Sequence, residues 1–200
     1  MSELTELYEE LAVCQHCILA QGRTKAVPGE GPEDAALMFM GEAPGFHEDR
    51  QGRPFVGAAG KFLEELLASI DLKREEVYIC NVIKCRPPGN RDPSPAEIEA
   101  CRPYLDRQIE LINPKMIVTL GRFSMARYFP KTSISRIHGQ PKRIGGRIYY
   151  PMFHPAAALH QPKYRSAIEE DMLKIPQLLA EAEQMVDEKP PPQAEQLSLF

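Results

Sequence analysis

Four short apolar runs, each ended by a polar or glycine-rich stop, limit what this chain can fold into. The stops are Gly41-Glu42-Ala43-Pro44-Gly45, Asn81-Val82-Ile83-Lys84, Leu120-Gly121 and Phe153-His154-Pro155. Short apolar runs bounded by turn signals read as strands buried on both faces. The runs place strands at 36–40, 76–82, 116–120 and 148–153. Helical spacing of apolar residues places helices at 3–13, 58–70, 95–112 and 167–185, the last broken near Pro176. Ser94 caps the helix at 95–112, Pro95 suits its first position, and Glu97 completes a capping box. Strands alternating with helices give an α/β fold: a three-layer α/β/α sandwich around a central, mostly parallel four-stranded sheet. Ligands of such sheets collect outside the carboxyl ends of the strands. Glu42, Asn81 and His154 are therefore expected as the polar groups of one pocket, which suits an enzyme.

The 200 residues suffice for one sizeable core. They divide into a domain over 1–185 and a polar, proline-containing tail over 186–200. No apolar run is long enough to span a membrane. The acidic, amphipathic N-terminus is unlike a secretory signal, so a cytoplasmic location is expected. Net charge is −4, yet its distribution is uneven. From Leu111 to Ile168 there is no Asp or Glu among ten basic residues, with 20 acidic against 12 basic residues before this block and 8 against 2 after it. A basic stretch of this length favours a polyanionic partner.

Five cysteines, an odd number in a chain expected to be cytoplasmic, argue against a disulfide framework. Cys14 and Cys17 form a C-x2-C pair, while Cys85 and Cys101 lie 16 positions apart. Four thiolates suit tetrahedral zinc or an iron–sulfur cluster, and the spread second pair favours iron–sulfur. Cys80, inside a strand, reads as a small buried apolar residue.

These motifs resemble those of the type-4 uracil-DNA glycosylases, the iron–sulfur branch of the uracil glycosylase superfamily. The resemblance is carried by Cys14-x2-Cys17, GEAPG followed by Glu48-Asp49, and Gly52-Arg53-Pro54-Phe55-Val56-Gly57. It continues through Asn81-Val82-Ile83-Lys84-Cys85-Arg86-Pro87-Pro88, Cys101-Arg102-Pro103 and His154-Pro155-Ala156-Ala157. It spans roughly residues 5–180 and implies removal of uracil from DNA, with a [4Fe–4S] cluster on Cys14, Cys17, Cys85 and Cys101. Phe55 matches the aromatic that stacks on the flipped base, Asn81 the reader of the uracil edge, and Glu48 the acid beside C5. His154 matches the histidine that contacts a uracil carbonyl. Gly41, Glu42 and Ala43 belong to the first glycosylase motif. Another branch carries an Asp where Ala43 stands, so Glu42 or Asn81 is left to position the water. Arg136-Ile137-His138 resembles the loop of a variant that traps uracil-DNA covalently, but that variant has Gln at the position of Ala43. Turnover without strand cleavage, by a monomer, is the expectation. The alternatives are a broader glycosylase for deaminated bases and a cluster-bearing binder without turnover.

At the end of the chain, Gln196-Leu197-Ser198-Leu199-Phe200 resembles the pentapeptide by which bacterial proteins bind the replication sliding clamp. A tether to that clamp is the implied partner interaction.

Overall fold

The computed structural model describes residues 2–189. Its strands are β1 (Leu37–Gly41), β2 (Tyr78–Asn81), β3 (Met116–Leu120), β4 (Lys142–Ile144), β5 (Arg147–Met152) and β6 (Asp187–Glu188). They form one sheet in the order β2-β1-β3-β5-β4-β6, parallel except where β4 runs against β5. The helices are α1 (Glu3–Val13), α2 (Leu19–Gly22), α3 (Phe46–Gln51), α4 (Ala58–Ala68), α5 (Pro95–Ile112), α6 (Arg122–Ala126), α7 (Ile134–Ile137), α8 (Pro155–His160), α9 (Pro162–Leu173) and α10 (Ile175–Ala180).

The four expected strands are present as the central parallel core. The expected count of four is too low, because β4 and β6 extend one edge to six. Lys142-Arg143-Ile144 lacks an apolar run, and Gly145-Gly146, both at positive φ, turns it back onto β5 as a tight hairpin. β4 is only partly buried and β6 is exposed, so a pattern search for buried core strands passes them by.

Alternation along the strands separates two cores. Met38, Met40, Tyr78, Cys80 and Ile117 pack with Leu4, Leu7 and Leu11 of α1 and Leu105 and Ile109 of α5. Leu37, Phe39, Ile79, Val118 and Tyr150 pack with Phe62, Leu63 and Leu66 of α4 and Ile168 and Met172 of α9. This is the expected three-layer sandwich. The capping box at Ser94 and Glu97 is formed as read from the sequence. The last helical segment begins earlier than expected, at Pro162, and breaks between Leu173 and Ile175. The sheet also takes in Asp187 and Glu188; Gln196–Phe200 lies outside the described residues. No helix among the described residues is long and apolar enough to cross a membrane.

Candidate active site

The parallel strands all deliver their carboxyl ends to one rim. β1 runs into Glu42, β2 ends at Asn81 beside Gly41, and β5 leads through Phe153 to His154. There a cavity of about 410 Å3 is lined by Glu42, Ala43, Pro44, Gly45, Glu48, Phe55, Ala59, Asn81, Pro87, Asn90, Arg91, His154 and Ala156. Of the expected site residues outside the cysteine set, all except Gly41 line it. Gly41 sits directly behind, where a Cβ would collide with Asn81 Oδ1 and stand 2.6 Å from Phe55 Cζ.

Asn81 is 2% exposed, and its Oδ1 is buried without a hydrogen-bond partner. An unpaired buried acceptor costs about 1–3 kcal/mol, so a ligand donor at this point recovers free energy. The main-chain carbonyl of Asn81 is held by Nζ of the fully buried Lys84 at 2.8 Å.

His154 caps α8: its Nδ1 accepts the Ala156 N–H at 3.1 Å, and Pro155 occupies the first helical position. A ring nitrogen that accepts a backbone N–H carries no proton, so the proton of the neutral ring resides on Nε2. The residue keeps some exposure, but loss of bulk solvent around the ring lowers its pKa to about 4, with Glu48 offsetting part of the effect. The imidazole is thus neutral throughout the physiological range. The capping role and the lining role belong to the same side chain.

Phe55 is 5% exposed and stacks near His154, with ring centroids 5.6 Å apart and planes 25° from parallel. Its φ of 50° is uncommon for a bulky residue, and such backbone is held by its surroundings. Arg74 supplies much of that hold. Its guanidinium donates to the carbonyls of Pro54 and, at 2.9 Å, Phe55, and is itself paired with Glu30. Gly60 of α4 lies so close to the Phe55 carbonyl that no Cβ fits.

Glu48 is fixed just as firmly. Its Oε1 accepts the N–H groups of Val56 and Gly57, both at 2.9 Å, and its Oε2 would lie 2.7 Å from any Cβ at position 45. Glu42 has no such partners. Burial, reinforced by Asp92 and opposed by Arg122, pushes its pKa up to about 7. A carboxylate poised there at neutral pH is suited to take a proton from water.

Sequence reasoning missed Arg74, Gly60, Lys84 and Arg91. Arg91 lines the cavity with its charge met by Glu97 through two hydrogen bonds of 2.8 and 2.6 Å. Gly60 carried a signal, since glycine inside a helix is disfavoured without a packing reason. An arginine in a polar turn carries none. His138, from the Arg136-Ile137-His138 segment, is not among the cavity-lining residues; its Nδ1 lies 2.7 Å from Oδ2 of the buried Asp171.

The four cysteines come from the ends of α1 and β2 and from α5, within the same side of the core. All are free thiols. Cys85 is near enough to feel Cys17 and Cys14, and Cys101 to feel Cys85 and Cys17. Among the described residues, no three His, Cys, Asp or Glu side chains are grouped to hold a metal ion. Two sulfurs already receive N–H donors: Arg23 Nη1 reaches Cys85 Sγ at 3.1 Å, and the Lys84 amide reaches Cys101 Sγ at 3.3 Å. Burial raises the Cys85 thiol and pushes Cys101 up to about 12; Arg23 and Lys84, respectively, act against it. Cys80, fully buried in β2, stands apart as core.

Residues 28–175 match the family model of the uracil DNA glycosylase superfamily. The chain is 51% identical to a type-4 uracil-DNA glycosylase of Sulfurisphaera tokodaii, covering 89% of this chain and 86% of the relative. It is 48% identical to the type-4 enzyme of Archaeoglobus fulgidus, over 89% and 94% of the two chains. Against the type-4 enzyme of Thermotoga maritima the identity is 47%, over 78% and 84%. With the rim geometry above, these likenesses have one reading: the chain belongs to the uracil DNA glycosylase superfamily, among its type-4 uracil-DNA glycosylases.

Proposed function

We propose that this protein hydrolyses the N-glycosidic bond of deoxyuridine in DNA, releasing uracil and leaving an abasic site for base excision repair. The observation that carries this reading is the shared cavity of Phe55, Asn81 and His154, with an unpartnered buried acceptor on Asn81.

A base inside a duplex must first leave the stack, at a cost of a few kcal/mol. Phe55 offers the extruded ring a platform. Oδ1 of Asn81 accepts the uracil N3–H, and the amide NH2 donates to O4. Cytosine reverses both positions and would leave buried polar groups unpaired. Glu48, pinned by two backbone N–H groups, leaves no space for a methyl group at C5, which disfavours thymine.

In the reaction, water attacks C1′, the C1′–N1 bond breaks, and uracil leaves with the electron pair as an anion. Glu42 takes the proton of the water. The neutral His154 donates Nε2–H to a uracil carbonyl oxygen, a hydrogen bond that strengthens as charge develops in the transition state.

Cys14, Cys17, Cys85 and Cys101 would hold a [4Fe–4S] cluster, supported by an all-thiol donor set with N–H donors already on two sulfurs. When bound it supplies a structural tie between segments and no chemistry on the base. The terminal Gln196-Leu197-Ser198-Leu199-Phe200 supports docking to a bacterial sliding clamp.

Uracil-containing oligonucleotide followed by alkali tests the activity: a strand break at uracil is expected, and an intact strand would leave only a binder. Asn81→Asp should slow release about tenfold or more, because one buried hydrogen bond is lost. Near-normal release by that variant would remove Asn81 from the site.

A further inference from the structure

Phe46 stands out next to the cavity-lining Gly45. It is 45% exposed, while the other aromatic of that rim, Phe55, is 5% exposed. It directly follows Gly45, and its helix α3 carries Glu48, so the two flank one another at the cavity edge. Two guanidinium groups lie against its ring: Arg86 at 5.1 Å and Arg50 at 5.5 Å from the centroid. Arg86 immediately precedes the cavity-lining Pro87 and is steadied by Asn90 Oδ1 at 2.6 Å.

Among the described residues, neither Arg50 nor Arg86 is paired with a carboxylate. Their neighbours are: Arg53 and Arg74 meet Glu30, and Arg91 meets Glu97. A part-exposed ring with two guanidinium planes over it, adjacent in sequence to the cavity-lining Gly45 and Pro87, matches the two surfaces of a nucleotide. The ring offers a stacking face for a base, and the guanidinium groups offer forks for phosphate oxygens.

We infer that Phe46, Arg50 and Arg86 form a platform for the nucleotide that flanks the extruded deoxyuridine, its base on Phe46 and its phosphates on the two arginines. This rests on the glycosylase reading and adds to it a grip on the DNA outside the uracil pocket. Holding the neighbour fixes the strand while the target base is out of the stack, and a ring face is indifferent to which base it carries.

The experiment measures single-turnover uracil release from single-stranded oligonucleotides, with natural or abasic nucleotides flanking the deoxyuridine. Phe46→Ala should weaken half-saturation about tenfold on natural flanks while leaving the saturated rate within about twofold, as expected for losing one stacked base. Phe46→Trp should restore affinity. On abasic flanks, wild type should weaken by the same factor and Phe46→Ala should lose nothing further. Replacing Arg50 and Arg86 by Gln should shallow the slope of log affinity against log salt by about 1.4, the share of two phosphates on a single strand. Equal weakening by Phe46→Ala on both kinds of flank, or no weakening, overturns the platform. Wild-type protein that releases no uracil from any substrate overturns the glycosylase reading instead, so the two failures are separable.

Discussion

Glu42 shows how a residue's surroundings assign its task. Its neighbour on the rim, Glu48, is held by two N–H donors, whereas Glu42 is half-buried beside Asp92 and has its pKa raised to about 7. A base works only when ionised, so the rate of uracil release should fall as pH drops through about 7. Glu42→Gln should slow the saturated single-turnover rate about a hundredfold and remove that limb of the profile. Stability runs the opposite way. The folded pKa lies above the ordinary 4.5, so the folded state binds the proton more tightly and stability declines with rising pH between those values. The Gln variant should lack this decline, and melting curves from pH 5 to 8 would show it. A variant whose pH–rate profile matches wild type would pass the water-positioning role to Asn81. At this scale the residues that face the cavity were legible, because each ends an apolar run or sits in a motif. The residues that hold them were not. Arg74 grips the backbone of Phe55 from a turn that reads as solvated surface, and Lys84 is fully buried under Asn81 despite its charge. Nothing in a local pattern distinguishes a lysine that bonds a carbonyl in the core from one in water.

Elements were legible where burial imposes periodicity. The strands buried on both faces and the helices α1, α4 and α5 follow from apolar spacing and caps. β4, β6 and the short helix α3 lack it: β4 is placed by the hairpin to the adjacent β5, β6 by its distant partner β4, and α3 by the cavity rim. The four candidate cysteines sit at three places far apart in sequence: the segment after α1, the segment after β2 and the first half of α5. The proposed cluster would cross-link the chain much as a covalent bridge does, by restricting the unfolded state. Replacing Cys101 by Ala should therefore remove the visible absorption and lower stability by about 3 kcal/mol, roughly 10 °C in a chain of this size. Cys80→Ala should keep the colour, because that thiol belongs to the core packing of β2. Colourless wild-type protein with zinc would reassign the metal, and full colour in the Cys101 variant would remove this ligand.

Across the whole molecule, charge counted along the chain differs from charge in space. The acid-free block from Leu111 to Ile168 suggested an uncompensated basic surface. Folding returns acids to part of it: Arg122 meets Asp92, Arg127 meets Asp106, Lys142 meets Glu188, and Arg165 meets Glu65 and Glu169. Exposed pairs of this kind add little stability, but they neutralise the local field that would draw a polyanion. Arg50 and Arg86, which have no carboxylate partner among the described residues, lie outside the block and beside the cavity. The proposed rim grip would give local contact with DNA and no means of following a replication machine, and the proposed clamp tether would meet that need. In that proposal Gln196, Leu199 and Phe200 would supply one polar and two apolar anchors. A tether raises the local concentration of enzyme on clamp-bearing DNA without altering the site. Removal of residues 196–200 should abolish clamp binding in a surface-capture assay. It should leave uracil release from short oligonucleotides unchanged and slow release about tenfold or more on long DNA loaded with the clamp. Undiminished capture by the truncated chain would refute the tail as the clamp contact.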